Sequence, residues 1–291
     1  MTPTRPGIPA LALATGSVLA FALVSASLMP RGPVTTAQAL TTMIIALVVG
    51  AIVTATTGKR WAIAVALLAF VVVFEVARIG AWGPTVDVPA SFGVVDLLAF
   101  SLGRVVHGLL ALLPMWVGGL IGLAVAPRIG IPVSPPLGVG GWIVTSVLGV
   151  LVVIIGVIFA QPARTPPVVG ADGQPVPGSI AELTTVRIGG HEQAILLRGR
   201  DASAPVLLHL AGGPGGTDIG AMRLDTGLEQ HFVVATWDQR GTGKSYPAFG
   251  PAETLTLDRV VADTIEVTEY LIDRFGHDHI LISGQSWGTI P

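Results

Sequence analysis

Across its first 160 residues the chain carries only ten charged side chains, seven basic and three acidic, scattered between long runs of Ala, Val, Leu and Ile. So few charges cannot make a water-soluble surface, so this half has lipid as its solvent. A spanning helix needs about 20 mostly apolar residues to cross a hydrocarbon core of about 30 Å. Residues 10–28, 39–57, 61–79, 109–126 and 142–160 meet that requirement, with Pro, Gly or charged residues at the breaks, as in Gly58-Lys59-Arg60. The expectation is a multi-pass α-helical membrane domain over residues 1–160 with five helices. Arg5 and Ser25-Ala26-Ser27 give the first stretch the flanks of a signal peptide, but the spans that come after it favour a retained helix.

Residues 92–107 are apolar yet hold Asp96, Arg104 and His107. Asp96 and Arg104 are two turns apart on one helical face, which fits an interfacial or re-entrant helix leading into the fourth span. A separate crossing would make six spans and reverse the side of everything after it. Under five spans with an inner N-terminus, the inner loops hold Arg5, Lys59, Arg60 and Arg128, and the outer ones Arg31 and Asp87. That bias places the C-terminal part outside the cytoplasm. Glu75 and Arg78 are i,i+3 neighbours suited to a local pair, and Gly118, Gly119 and Gly122 allow close helix packing.

Beyond residue 160 the material changes: nine basic against fifteen acidic residues give a net of −6, against +4 before it. An acidic domain without a Lys/Arg cluster has no footprint for nucleic acid. The absence of cysteine excludes disulfides, cysteine nucleophiles and thiolate metal sites. No H-x-x-x-H or H-E-x-x-H spacing occurs, so neither metal nor cofactor is expected. Residues 161–179 form a Pro-rich linker.

From residue 180 the hydrophobic period shortens. Residues 180–188 and 193–197 read as strands joined at Gly189-Gly190, and residues 205–210 and 232–237 as buried strands. Residues 258–275 read as a helix capped by Thr256 or Asp258, with Val260, Val261, Ile265, Val267, Thr268, Leu271, Ile272 and Phe275 on its apolar side. Residues 279–283 form a strand that runs into Gly284-Gln285-Ser286-Trp287-Gly288. Strands alternating with loops and a helix point to a mostly parallel α/β sheet with flanking helices.

G-x-S-x-G directly after a strand is the pattern of a nucleophile elbow. Ser286 would occupy a strained strand-to-helix turn, the flanking glycines would leave room, and the Trp287 amide would face a developing oxyanion. Thr289 and Ile290 would begin a helix whose dipole favours negative charge. Gly212, Gly213, Pro214 and Gly215 come after a buried strand, so their backbone can approach a ligand closely. Gly243-Lys244-Ser245 ends like a phosphate loop, but that motif needs Gly where Asp238 stands. Asp238, Gln239, Arg240 and Gly241 come after a strand and suit the ordering of nearby loops.

In order and spacing, GGPG at 212–215, DQRGTGKS at 238–245, the helix carrying residues 261–266 and GQSWG at 284–288 resemble the proline iminopeptidase group of α/β-hydrolases over about 110 residues. The resemblance implies a serine hydrolase that releases N-terminal residues, often proline, by acyl transfer to water. Ser286 would be its nucleophile, and the Trp287 and Gly213 amides its oxyanion hole. The family's usual His before GGPG is Ala211 here, and His209 lies on the alternate side of the strand, so support for the loop is expected from elsewhere.

In that fold the acid and base come after the nucleophile, whereas only Trp287 to Pro291 lie beyond Ser286. Residues 180–291 therefore read as the N-terminal part of an α/β-hydrolase domain, truncated after the elbow. His277 and His279 lie at the wrong end of the last strand to serve as base. A chain of this sequence is expected to be inactive, with an apolar sheet edge exposed, unless a separate chain supplies the remainder. A peptide, small amide or ester is the expected substrate; an esterase, or a non-catalytic membrane interaction protein carrying a hydrolase remnant, are the alternatives.

Overall fold

The structure is a computed structural model that describes residues 7–28, 34–79, 93–133, 137–213, 215–250 and 254–290. Arg5, Arg31, Asp87, Pro214 and the side chain of Asp96 lie outside the described residues. The chain divides into two compact units, Met1–Pro162 and Ala163–Pro291.

The described residues of the first unit form five α-helices: α1 (Ile8–Leu28), α2 (Thr36–Thr57), α3 (Trp61–Ala77), α4 (Val94–Val125) and α5 (Val139–Ala160). Four are long and apolar enough to cross a membrane, and α3, with 17 residues, sits at the short end of spanning lengths. A capping box fixes the start of α2: Gln38 N donates to Thr35 Oγ1, and Thr35 N donates to Gln38 Oε1. Gly58, in the left-handed conformation, ends it by donating its N–H to Thr54 O at 2.8 Å.

Residues 94–107 run without a break into the fourth span as one 32-residue helix. At 1.5 Å per residue such a helix is about 48 Å long, more than the hydrocarbon core, so the charged early turns of α4 need no separate crossing.

α2 and α4 form the tightest contact and run in the same direction, with Leu47, Gly50 and Ala51 meeting Gly118, Met115 and Gly122. A Cβ on Gly118 would fall 1.9 Å from Leu47 O, and one on Gly50 1.9 Å from Met115 O. Thr54 Oγ1 donates to Gly119 O at 2.6 Å across this seam. Close backbone approach of this kind supplies the dispersion contacts that hold helices together in lipid.

Glu75 departs from the sequence expectation. Its carboxylate reaches from α3 to α4, where Arg104 Nε meets it at 2.7 Å. Arg78 donates to Ala26 O and lies over the Phe74 ring. An i,i+3 neighbour competes poorly with a guanidinium on a facing helix when the latter can present two nitrogens to one carboxylate.

The second unit holds a five-stranded sheet of β1 (Ile180–Ile188), β2 (His191–Gly199), β3 (Val206–Leu210), β4 (Val233–Trp237) and β5 (Leu281–Gly284), in the order β1-β2-β4-β3-β5. A short helix α6 (Ile219–Met222) lies between β3 and β4, and α7 (Leu257–Phe275) between β4 and β5. The sheet is mixed rather than mostly parallel. β1 pairs with β2, and β2 with β4, antiparallel, whereas β4-β3-β5 is parallel. The physical reason is the tight turn at Gly189-Gly190, which reverses the chain, while the α7 crossover keeps β5 parallel to β3.

α7 covers one sheet face, with Val267 and Leu271 fully buried against Val206, Leu208, Leu210, Ala235 and Trp237. Each such side chain contributes roughly 1.5–3 kcal/mol by leaving water. Thr256 Oγ1 accepts from Arg259 N and caps the helix. The apolar face is shifted from expectation: Ile265 is 54% exposed, while Asp263 is fully buried and Thr264 nearly so. Asp263 can lie inside because Arg240 and Arg259 both bond it.

Residues 163–168 also belong to this unit. Arg198 and Glu229 form a buried pair at 2.5 Å, and Arg198 Nη1 donates to Thr165 Oγ1 and Pro166 O, strapping the Pro-rich segment to β2. At the other side of the sheet β5 is the edge strand, and its Leu281 and Ile282 are exposed.

Two outcomes test these contacts. Gly118→Ala is expected to destabilise the helical unit by about 1–3 kcal/mol in denaturant titration in detergent. Gly149→Ala, where a Cβ meets nothing within 4 Å, leaves the midpoint unchanged. Arg198→Ala leaves Glu229 buried without its partner, at a cost of about 3–5 kcal/mol. Tryptic cleavage after Arg164, followed on gels, is expected to accelerate as the strap detaches.

Candidate active site

Ser286 stands immediately after β5 and has φ +52°, the one positive φ outside glycine among the described residues. Such a backbone is strained for a residue with a side chain, and the neighbours fix it. Gln285 N donates to Leu210 O at 3.2 Å, and Gly288 N donates to Gln285 O at 2.9 Å. A Cβ on Gly284 would lie 2.1 Å from Gly288 O, and one on Gly288 2.2 Å from Leu210 O. Both flanking glycines are therefore dictated by contact with backbone, which cannot step aside. Ser286 is exposed and Trp287 half-buried.

The segment beyond the elbow differs from the sequence expectation of a helix. Ser286–Thr289 is a four-residue 3₁₀ turn, with Thr289 Oγ1 donating to Ser286 O. A turn that short has no developed macrodipole.

The glycine-rich loop lies against this elbow. A Cβ on Gly212 would come within 3.3 Å of Gln285 O and 3.5 Å of Ser286 Cβ. Gly213 has φ +146° and is exposed; Gly216 N closes the loop onto Gly212 O at 3.2 Å. Neither the Gly213 nor the Trp287 amide donates to another described residue.

Three side chains set where the loop runs. The buried Asp238 at the end of β4 accepts from Thr217 Oγ1, just past the glycines, and from Lys244 N at 2.8 Å. Burial is the largest influence on the Asp238 carboxyl and holds it above its ordinary range, while the bonds from Thr217 and Lys244 pull the other way. The same residue's carbonyl accepts from Ser245 Oγ, which in turn accepts from Ala194 N on β2. Gln239 O accepts from Thr242, and Gly241 N donates to Ser245 O.

Arg240 turns away from Asp238. It forks onto Asp263 at 2.8 and 3.0 Å and donates to Gly189 O in the β1-β2 turn. The two charged residues of the DQRG segment thus anchor separate partners rather than each other.

His209 corrects the expectation that support for the loop comes from elsewhere. Its Nε2 lies 3.1 Å from Asp218 Oδ2, directly after the loop, and its Nδ1 3.1 Å from Ser283 Oγ on β5. The reason is the register: His209 is aligned with Ser283 in the parallel pair, and the loop folds back over the sheet face from which His209 projects. Only the period-2 alternation of β3 and β5 carried any signal of this in the sequence. His277 Nε2 meets Ala204 O at 3.3 Å and its ring stacks on Phe275, which places it with the start of β3.

Among the described residues no group of three or more His, Asp or Glu side chains is arranged to hold a metal ion.

No family model matches the chain. It is 40% identical over 113 residues to the probable aminopeptidase YbaC of Bacillus subtilis (strain 168), a match covering 38% of this chain and 36% of that protein. The chain thus spans about a third of the length of the curated relative it matches. A solved proline iminopeptidase-related protein of Thermus thermophilus aligns over 38% of this chain and 37% of its own, with 27% identity and a TM-score of 0.33, a superposition on which no inference rests. The chain is homologous over part of its length to an aminopeptidase-type hydrolase, and that homology accompanies a region of several long apolar helices.

Proposed function

We propose that the second unit is the nucleophile-bearing part of a membrane-tethered serine hydrolase that releases N-terminal residues from peptides, proline-type substrates included. The observation that carries this reading is the strained, exposed Ser286 at the end of β5, with the glycine-rich loop packed on its elbow. Homology to a probable aminopeptidase supports the same class.

In this mechanism Ser286 Oγ attacks the scissile carbonyl, and the Gly213 and Trp287 amides donate to the oxyanion that forms. Donors held by the protein stabilise that charge without reorganising, and loss of one such donor typically slows acyl transfer about 10²–10³-fold. Asp238, through Thr217, and His209, through Asp218, are positioning residues that hold the loop from its far side. Ser286 needs a base within about 3 Å, and none of the described histidines bonds it; His209 and His277 are engaged elsewhere. Charge bias in the helical unit puts this hydrolase part on the extracytoplasmic side of the cell membrane.

A polypeptide of these 291 residues is expected not to turn over proline or alanine arylamides. Joining it to the segment that lies beyond the matched region in the Bacillus relative is expected to restore arylamide turnover, and Ser286→Ala in that chimera to abolish it. Turnover by the chain alone that disappears with Ser286→Ala overturns the assignment of the base, and turnover in the chimera that survives Ser286→Ala overturns the nucleophile. Parallel assays with p-nitrophenyl esters separate an amidase from an esterase.

A further inference from the structure

Inside the helical unit a cavity of about 200 Å³ lies between α1, α2, α3 and α4, lined by Ser25, Thr42, Phe70, Glu75, Arg104 and His107 among others. It sits toward the end of the bundle where α5 finishes, since Gly156 of α5 packs near Met43 and Leu40 of α2, which flank Thr42 in sequence. Ionisable side chains within apolar helices are costly and mark functional sites by default. Here an acid and a base meet in the wall of the same cavity, at 2.7 and 3.0 Å.

The pair is held in place from the protein side. The Arg104 guanidinium lies 4.6 Å from the Phe100 ring centroid and 5.9 Å from that of Phe74, cation–π contacts that fix its plane. The Glu75 side chain retains 41% of its exposure, and each of its carboxylate oxygens has a second lone pair. The rest of the wall supplies apolar surface from Phe70, Val71 and Leu112 and hydroxyls from Ser25 and Thr42.

These features select a ligand by charge. A simple anion entering the cavity meets Glu75, and a simple cation meets Arg104, so either is repelled by half of the wall at low dielectric. A neutral apolar molecule leaves both charges without a gain. A molecule that carries an ammonium beside an anionic group matches both members at once, its apolar part lying on the Phe70 and Leu112 side. We propose that this cavity is a binding site for a small zwitterion, with Glu75 receiving the ammonium and Arg104 the anion. The assignment rests on the cavity's own charges and not on the hydrolase reading. A free amino acid and a phosphatidylethanolamine headgroup share this chemistry.

The test is equilibrium binding to the full chain in detergent micelles. Radiolabelled L-proline is the soluble probe, dihexanoyl phosphatidylethanolamine the headgroup probe, and pyrrolidine and cyclopentanecarboxylate each carry one charge only. Saturable binding of L-proline, or of the short lipid if the source is a headgroup, is expected, with each one-charge analogue at least about tenfold weaker. Glu75→Gln removes the acid with little change of shape and is expected to weaken the zwitterion at least about tenfold. Gly108→Val leaves the ion pair untouched and fills the cavity, because a Cβ there comes no closer than 3.7 Å to Leu112 Cδ1; it is expected to abolish binding even where Glu75→Gln fails to fold. Absence of saturable binding of both zwitterions overturns the proposal. So does a one-charge analogue that binds as tightly, or binding that survives Gly108→Val.

Discussion

Asp263 is fully buried on α7, and its carboxylate is met by two guanidiniums, Arg240 from the loop after β4 and Arg259 one turn earlier on the helix. Gln193 of β2 adds a donor at 3.1 Å, and the same glutamine accepts from the Trp237 indole. Removing water from a carboxylate costs several kcal/mol unless charged and neutral donors replace it, so the helix, the central strands and the hairpin turn are bound to one arrangement. Arg240 also holds Gly189 O, and the hairpin, the DQRG segment and α7 therefore meet at one side chain. The glycine-rich loop and the elbow are built on the ends of strands that this network fixes.

The same requirement recurs elsewhere in the molecule in different solvents. Arg198 and Glu229 answer each other beneath the Pro-rich segment, and Glu75 and Arg104 do so between apolar helices. The partners are 31 and 29 residues apart in sequence, so each pair ties together distant elements. Exposed pairs such as Arg274 with Glu182 contribute little by comparison, since water screens them.

Much of this was legible in the sequence, and the reason differs from one element to another. Long uncharged runs mark helices in lipid, because no other backbone arrangement short of a closed barrel satisfies its own amides there. The strands, α7 and its Thr256 cap arise from period and capping chemistry, and GQSWG announced a turn whose strain is now visible at Ser286. Pairings between elements were not legible. Nothing local distinguishes Arg78 from Arg104 as a partner for Glu75, and the antiparallel placement of β2 beside β4 depends on which edge the hairpin joins. The role of His209 was hidden for a similar reason: its partners, Asp218 and Ser283, are a neighbour across a folded loop and a neighbour across a strand register.

The two glycines of the elbow bear on how such a sequence can drift. Each abuts a carbonyl oxygen of the main chain, Gly284 that of Gly288 and Gly288 that of Leu210, so no second-site change of a side chain can relieve a substitution at either. Gln285 and Trp287 face no such limit. Descendants of this gene that have lost every trace of chemistry at Ser286 would still keep the glycine spacing for as long as the strand end folds, which makes the pentapeptide a record of architecture more durable than the reaction it once framed.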